Sequence, residues 1–173
     1  MNDHTSTRGF TLIELLIASM VFSFVILSVT QLFSDAMGLQ RRAAGYQKIQ
    51  DTAIFVLESL AREIRVSTIL TASGCSATLT MDHPVNGTIV YAYDSGTHTI
   101  SRTKDGVTSP ITSTDVSVAA FSFCVADAGI NDAQTRVTMP IKLEASTGRG
   151  ATTVSVSLQT TVVSRDITEE LSN

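Results

Sequence analysis

The stretch Arg8-Gly9-Phe10-Thr11-Leu12-Ile13-Glu14 opens an apolar run that continues to Phe33. Across Phe10–Phe33 the only ionisable side chain is Glu14. The run holds 24 residues. As an α-helix it measures ~36 Å, enough to cross a hydrocarbon core of ~30 Å. A carboxylate inside such a segment costs about 2.5–3.5 kcal/mol on insertion scales, so Glu14 is a candidate functional residue. A place in the first helical turn returns about 0.3–1 kcal/mol, which does not offset the burial. A cationic partner would. The residues before the run, Met1 to Gly9, are polar and end in Arg8-Gly9. They are expected to be too short and too polar for a signal peptide with its own hydrophobic region. A leader over 1–9 can therefore be removed while the apolar helix stays.

Outward from this run, no proline occurs from Phe10 to about Ser67, and the first is Pro84. Residues 10–33 are apolar all round, which suits lipid or a buried bundle. Residues 34–72 are read as an amphipathic continuation of the same helix. Ile49, Ala53, Val56, Leu57, Leu60 and Ile64 recur at helical spacing, with Lys48, Asp51, Glu58, Arg62 and Arg65 on the other faces. Glu58 and Arg62 form an i,i+4 pair in the favourable orientation. Gly38 and Gly45 either weaken the helix locally or permit close helix contact.

Residues 73–173 change to Thr, Val, Ile and Ser with alternation and turn signals, which predicts an antiparallel β domain. Asn86-Gly87 and Asp94-Ser95-Gly96 bound a strand at Thr88–Tyr93, and Lys104-Asp105-Gly106 closes one at His98–Arg102. Val116–Val125 reads as one longer strand containing Cys124. Arg136–Ala145 and Thr152–Val163 alternate well around a Thr147–Gly150 hairpin, and Pro140 argues for an edge strand or a bulge. The tail Asp166–Asn173 is polar and expected to fray. The fold class is α+β, a long N-terminal helix packed on an antiparallel sheet.

The net charge is −4, and removing a leader with Asp3 and Arg8 leaves it unchanged. Beyond Arg41-Arg42 no basic cluster stands out, so direct nucleic-acid binding is not expected. Export of the β domain would place Cys75 and Cys124 in an oxidising compartment, where a disulfide is the favoured reading. The alternative is two unpaired buried thiols.

Arg8-Gly9-Phe10-Thr11-Leu12-Ile13-Glu14 resembles the class III signal of type IV pilins and type II secretion pseudopilins. The resemblance implies that a prepilin peptidase cuts after Gly9 and methylates the new N-terminal Phe10. It also implies that Glu14 pairs with the α-amino group of Phe10 on a neighbouring subunit, setting axial register during assembly. Thr52–Ile69, through Leu60 and Arg62-Glu63-Ile64-Arg65, resembles the helix end of minor pilins and of the J-type minor pseudopilin. Many major pilins carry a proline in the apolar half, and this chain does not. The implied function is a minor structural subunit of a type IV filament, a minor pilin in pilus assembly or priming. The alternatives are a J-type pseudopilin of type II secretion, or a signal-anchored periplasmic binding domain that never polymerises. Implied partners are other pilin or pseudopilin subunits, prepilin peptidase and an inner-membrane assembly platform. Implied location is the inner membrane in a single pass with a periplasmic C-terminal domain, then a periplasmic or extracellular filament.

Other chemistry is weaker. His83 and His98 with Asp82 and Asp94 match no metal-ligand spacing, so no metal is expected. The loop Asp127 to Asp132 has oxygen ligands around a glycine, as calcium sites do, but lacks the EF-hand order. A solvated loop explains it more simply. No G-x-S-x-G elbow and no traceable His-Asp pair appear, so neither catalytic residues nor a cofactor is expected.

Overall fold

The structure, a computed structural model, describes residues 9–128, 134–146 and 153–164. The Thr147–Gly150 hairpin, the Asp166–Asn173 tail, residues 129–133 of the candidate calcium loop and the leader up to Arg8 lie outside them. Among the described residues one helix, α1 (Leu12–Val66), is followed by ten strands. The architecture is the α+β arrangement expected, a long N-terminal helix with antiparallel sheets. The chain divides into two compact units, up to Arg41 and from Arg42 onward.

In the first unit every apolar side chain of α1 is exposed, with Phe22, Leu27, Leu32 and Phe33 all above 60 %. The helix is long and apolar enough to cross a membrane. The hydroxyls of Ser23, Ser28 and Thr30 donate to carbonyls four residues back and that of Ser19 to the carbonyl of Leu16, so none is left unpaired in an apolar setting.

In the second unit α1 turns one face inward. Ile49, Ala53, Val56, Leu60 and Ile64 are buried, and Leu57 packs against them. The helix ends at Val66, six residues before the expected 72. The Ser67 hydroxyl caps back to the Glu63 carbonyl, and its own carbonyl accepts the Ser164 hydroxyl, each at 2.6 Å. The chain then leaves as a strand, because Thr68 and Ile69 pair with Asp82 and Met81.

The strands are β1 (Thr68–Ile69), β2 (Gly74–Ser76), β3 (Thr78–His83), β4 (Gly87–Asp94), β5 (Thr99–Lys104), β6 (Val107–Pro110), β7 (Ser117–Phe121), β8 (Phe123–Ala126), β9 (Arg136–Ser146) and β10 (Thr153–Val163). They form two antiparallel sheets where one was expected, in the orders β1-β3-β4-β5-β6 and β10-β9-β8-β2, with β7 also on β9. The first contains the expected meander. Its tightest turn, Asp105-Gly106, has φ of 51° and 77°, the left-handed pair of a two-residue hairpin whose twist matches the strands. His98 lies in the preceding turn with φ 55°, so β5 begins one residue later than expected. Val118 joins the sheets, its N–H donating to the His98 carbonyl and its carbonyl accepting the Tyr93 hydroxyl. Leu79, Met81, Ile89, Tyr91 and Ile100 of one sheet and Phe123, Val137, Met139 and Leu143 of the other share one core with α1.

Two strand expectations need correction. Pro140 lies on neither an edge nor a bulge of its own strand, because β9 pairs with β10 on one side and with β7 and β8 on the other. Val116–Val125 is two strands, and the cause is the same proline. Phe121 pairs Ile141, so the next residue, Ser122, faces Pro140, which has no N–H to donate. The ladder lapses there and resumes at Cys124–Thr138.

Candidate assembly and processing site

The segment Gly9–Glu14 is shaped by one local device. Thr11 is the N-cap of α1: its hydroxyl accepts the Glu14 N–H at 3.3 Å. The Glu14 carboxylate accepts the Thr11 N–H at 3.5 Å in return. This reciprocal pair is a capping box, satisfying two helix-terminal donors. The sequence reading missed it, although Thr-x-x-Glu spacing is its signature. The device holds the only carboxylate of the apolar run at the start of the helix, where the N-terminal dipole favours negative charge.

Around it the surface is open. Phe10 is 83 % exposed. A Cβ added at Gly9 meets nothing within 4 Å, so the fold does not require glycine at this position. Gly9, Phe10 and Glu14 lie within six consecutive residues, and no other part of the subunit bonds the Glu14 side chain among the described residues.

The cysteines fall elsewhere. Cys75 on β2 and Cys124 on β8 are directly opposite in register and bonded, S–S 2.02 Å, with Cα atoms 3.9 Å apart. The bridge joins the neighbouring strands β2 and β8 within the second sheet. The thiol alternative is thereby excluded.

The histidines serve turns. His83 Nδ1 accepts the N–H groups of Val85 and Asn86, each at 3.2 Å. His98 Nδ1 lies 3.3 Å from the Val118 carbonyl. No group of three or more His, Cys, Asp or Glu is placed to hold a metal among the described residues. Asp127, at the start of the candidate calcium loop, is ion-paired with Arg136.

One polar cluster has no local signal in the sequence. Glu63 on α1 accepts the Tyr91 hydroxyl at 2.8 Å and the Arg102 guanidinium through Nε at 3.2 Å and Nη2 at 2.9 Å. Burial, then the Glu63 carboxylate, pushes the Tyr91 hydroxyl well above the ordinary tyrosine range. Hydrogen bonding to Glu63 raises Arg102 as well. The Glu58–Arg62 pair expected on the same helix does not close to 4.0 Å among the described residues, whereas Arg102–Glu63 does.

Residues 5–30 match the family described as the prokaryotic N-terminal methylation motif. No curated protein and no solved structure matches the chain. The chain therefore carries a type IV pilin-like N-terminal signal on a helix able to anchor it in a membrane.

Proposed function

We propose that the chain is a minor pilin, a low-abundance structural subunit of a type IV filament that acts in assembly or priming. The observation that carries this reading is the methylation motif set on a helix whose single buried-cost charge, Glu14, is held in the first turn beside an exposed Phe10. Cleavage after Gly9 creates an α-amino group at Phe10. That cation on one subunit meets the Glu14 carboxylate of its neighbour. The pair offsets the cost of carrying a carboxylate into an apolar bundle, and it fixes the axial offset between helices. The apolar half of α1 anchors the precursor in the inner membrane with the β domain in the periplasm, then packs into the filament core.

A J-type pseudopilin of type II secretion is the second reading, since the helix end with Leu60 and Arg62-Glu63-Ile64-Arg65 resembles both classes. The disulfide-bonded, Thr/Ser-rich domain favours the pilus. Co-purification of the assembled protein with pilus or secretion components separates the two. The reading as a whole is tested by mass spectrometry of the membrane-extracted chain. The expected N-terminus is N-methylated Phe10, and Gly9→Val is expected to block cutting without unfolding the domain. A membrane-extracted chain retaining Met1 would mean a signal-anchored domain that never polymerises.

A further inference from the structure

Asp35 and Arg42 stand just beyond the apolar run of α1, and both are exposed. Seven residues separate them, ~10.5 Å along the helix, too far for the two to pair with each other. The helical neighbours of Asp35 are Gln31, Leu32, Gly38 and Leu39, and those of Arg42 are Gly38, Leu39, Gly45 and Tyr46. None is charged. Among the described residues neither Asp35 nor Arg42 takes part in an ion pair. Gly38 lies between them on the same face, three residues after Asp35 and four before Arg42. A Cβ built at Gly38 meets nothing within 4 Å. Glycine weakens an exposed helix relative to alanine, and the fold around Gly38 does not require it.

We infer that Arg42 of one copy of this chain pairs with Asp35 of a second copy lying parallel to it, the guanidinium crossing the gap left by Gly38 of that second copy. The inference rests on the proposed pairing of Glu14 with the α-amino group of Phe10. That pairing sets Glu14 of one copy level with Phe10 of the other, an offset of four residues or ~6 Å. At the same offset Arg42 comes level with Gly38 of the second copy. Asp35 of that copy is three residues, ~4.5 Å, nearer the N-terminus. Helix side chains lean toward the N-terminus, so Arg42 reaches back in the direction of Asp35. Gly38 puts no side chain in its way.

Other offsets fail on charge or on reach. With no offset, Asp35 stands beside Asp35 and Arg42 beside Arg42, and like charges face each other. In the reverse sense, Arg42 of the second copy is level with Tyr46 of the first, eleven residues or ~16.5 Å from Asp35. No side chain spans that. The pair therefore forms in one direction only. Each copy meets a preceding neighbour through Asp35 and a following one through Arg42, at two heights on one helix face. Such a contact is heterologous and continues as an open chain, as a filament requires. The Glu14–Phe10 contact needs only the N-terminal signal, whereas the match of Asp35, Gly38 and Arg42 is a complementarity of this chain to itself.

The test uses the full chain in membranes, as two differently tagged copies with the Cys75–Cys124 bridge intact. A carbodiimide joins a carboxylate to an amine only where the two touch, and Arg42→Lys supplies an amine at position 42. Peptide mapping is expected to find position 42 of one copy joined to Asp35 of the other, and Glu14 joined to Phe10 between copies in the same sample. Asp35→Arg or Arg42→Asp alone is expected to lower the Glu14–Phe10 product about tenfold, and the two reversals together to restore it. Gly38→Leu is expected to lower the Asp35 product while keeping the bridge. The Glu14–Phe10 product without the Asp35 product would overturn the inference and leave the Glu14–Phe10 pairing standing. The Asp35 product without the Glu14–Phe10 product would uphold the ion pair and overturn that pairing. Absence of both products would overturn both. Linkage of position 42 to a different protein in place of Asp35 would overturn the second copy as partner, and failure of the double reversal to restore linkage would overturn the ion pair.

Discussion

Arg102 and Glu63 are 39 residues apart in sequence and meet through three N–H···O contacts of 2.9–3.2 Å, a fork from the sheet gripping a carboxylate of the helix. Their side chains are 24 % and 19 % exposed, so the pair is only partly screened by water. Removing one member leaves the other half-buried without its countercharge. Arg102→Met is expected to destabilise the β domain by about 2 kcal/mol, more than an exposed pair would cost. For contrast, Lys48→Ala breaks the pair with Asp115, whose side chains are more than half exposed. It is expected to cost about 0.5 kcal/mol or less. Urea midpoints of the two variants check this ordering.

Tyr91 gives the same cluster a pH dependence. Its folded-state pKa is raised, by burial and then by Glu63. A raised value means that the folded state holds the proton more tightly than the unfolded chain. The associated stability is complete below the unfolded tyrosine value of about 10 and is lost as pH rises toward the folded one. Stability of the wild-type domain should therefore fall steeply in alkali. Tyr91→Phe is expected to be less stable at neutral pH and to show a shallower alkaline decline, which thermal melts between neutral and strongly alkaline pH would measure.

The Cys75–Cys124 bridge closes a loop with a sequence separation of 49. The chain-entropy account assigns about 4 kcal/mol to a loop of that length. Cys75→Ser with Cys124→Ser should lower the urea midpoint accordingly and leave cleavage at Gly9 unaffected. Intact-mass measurement and denaturation of the same preparation read both outcomes.

Gly106 lies at φ 77° beside Asp105 at φ 51°. Open space surrounds a Cβ built there, so any cost is conformational and not steric crowding. Gly106→Val is expected to cost about 1–2 kcal/mol, since a β-branched residue is strained in the left-handed region. Gly38→Ala, in the helix and equally open, should instead stabilise slightly. Circular dichroism melts distinguish the two signs.

Glu14→Ala and Glu14→Gln each remove the charge of the capping box. Both are expected to give processed, membrane-held protein that enters filaments poorly. Cross-linking to neighbouring subunits, with cleavage and membrane level measured in parallel, is the check. Normal cross-linking by Glu14→Ala would assign register to helix packing alone.

How legible these features were depended on sequence range. The helix was plain from the Phe10–Phe33 run and from Ile49, Val56, Leu60 and Ile64, because apolar spacing acts within a turn or two. Asp105-Gly106 announced its own turn. The capping pair of Thr11 and Glu14 went unread, although its spacing of three residues is local. Strands β1 and β2 are too short to show alternation, and they exist because longer strands recruit them. Glu63 looked like one more charge on a helix face, since its partners Tyr91 and Arg102 arrive from 28 and 39 residues away. Pro140 misled for a physical reason: a central strand tolerates proline where the neighbouring ladder lapses, and that lapse belongs to Ser122.

The bridge between β2 and β8 encircles β3, β4, β5, β6 and β7. β3 to β6 join by short local turns and are low in contact order, whereas β9 must find β7 and β8, and the second sheet draws on residues from Gly74 to Val163. Local hairpins close within microseconds, while long-range pairings wait on loop closure. Folding should accordingly begin in the encircled meander and finish in the second sheet, with oxidation of Cys75 and Cys124 shortening the wait for the latter. The covalent loop thus acts as a kinetic aid to the late half of the domain, leaving the early half indifferent to redox state.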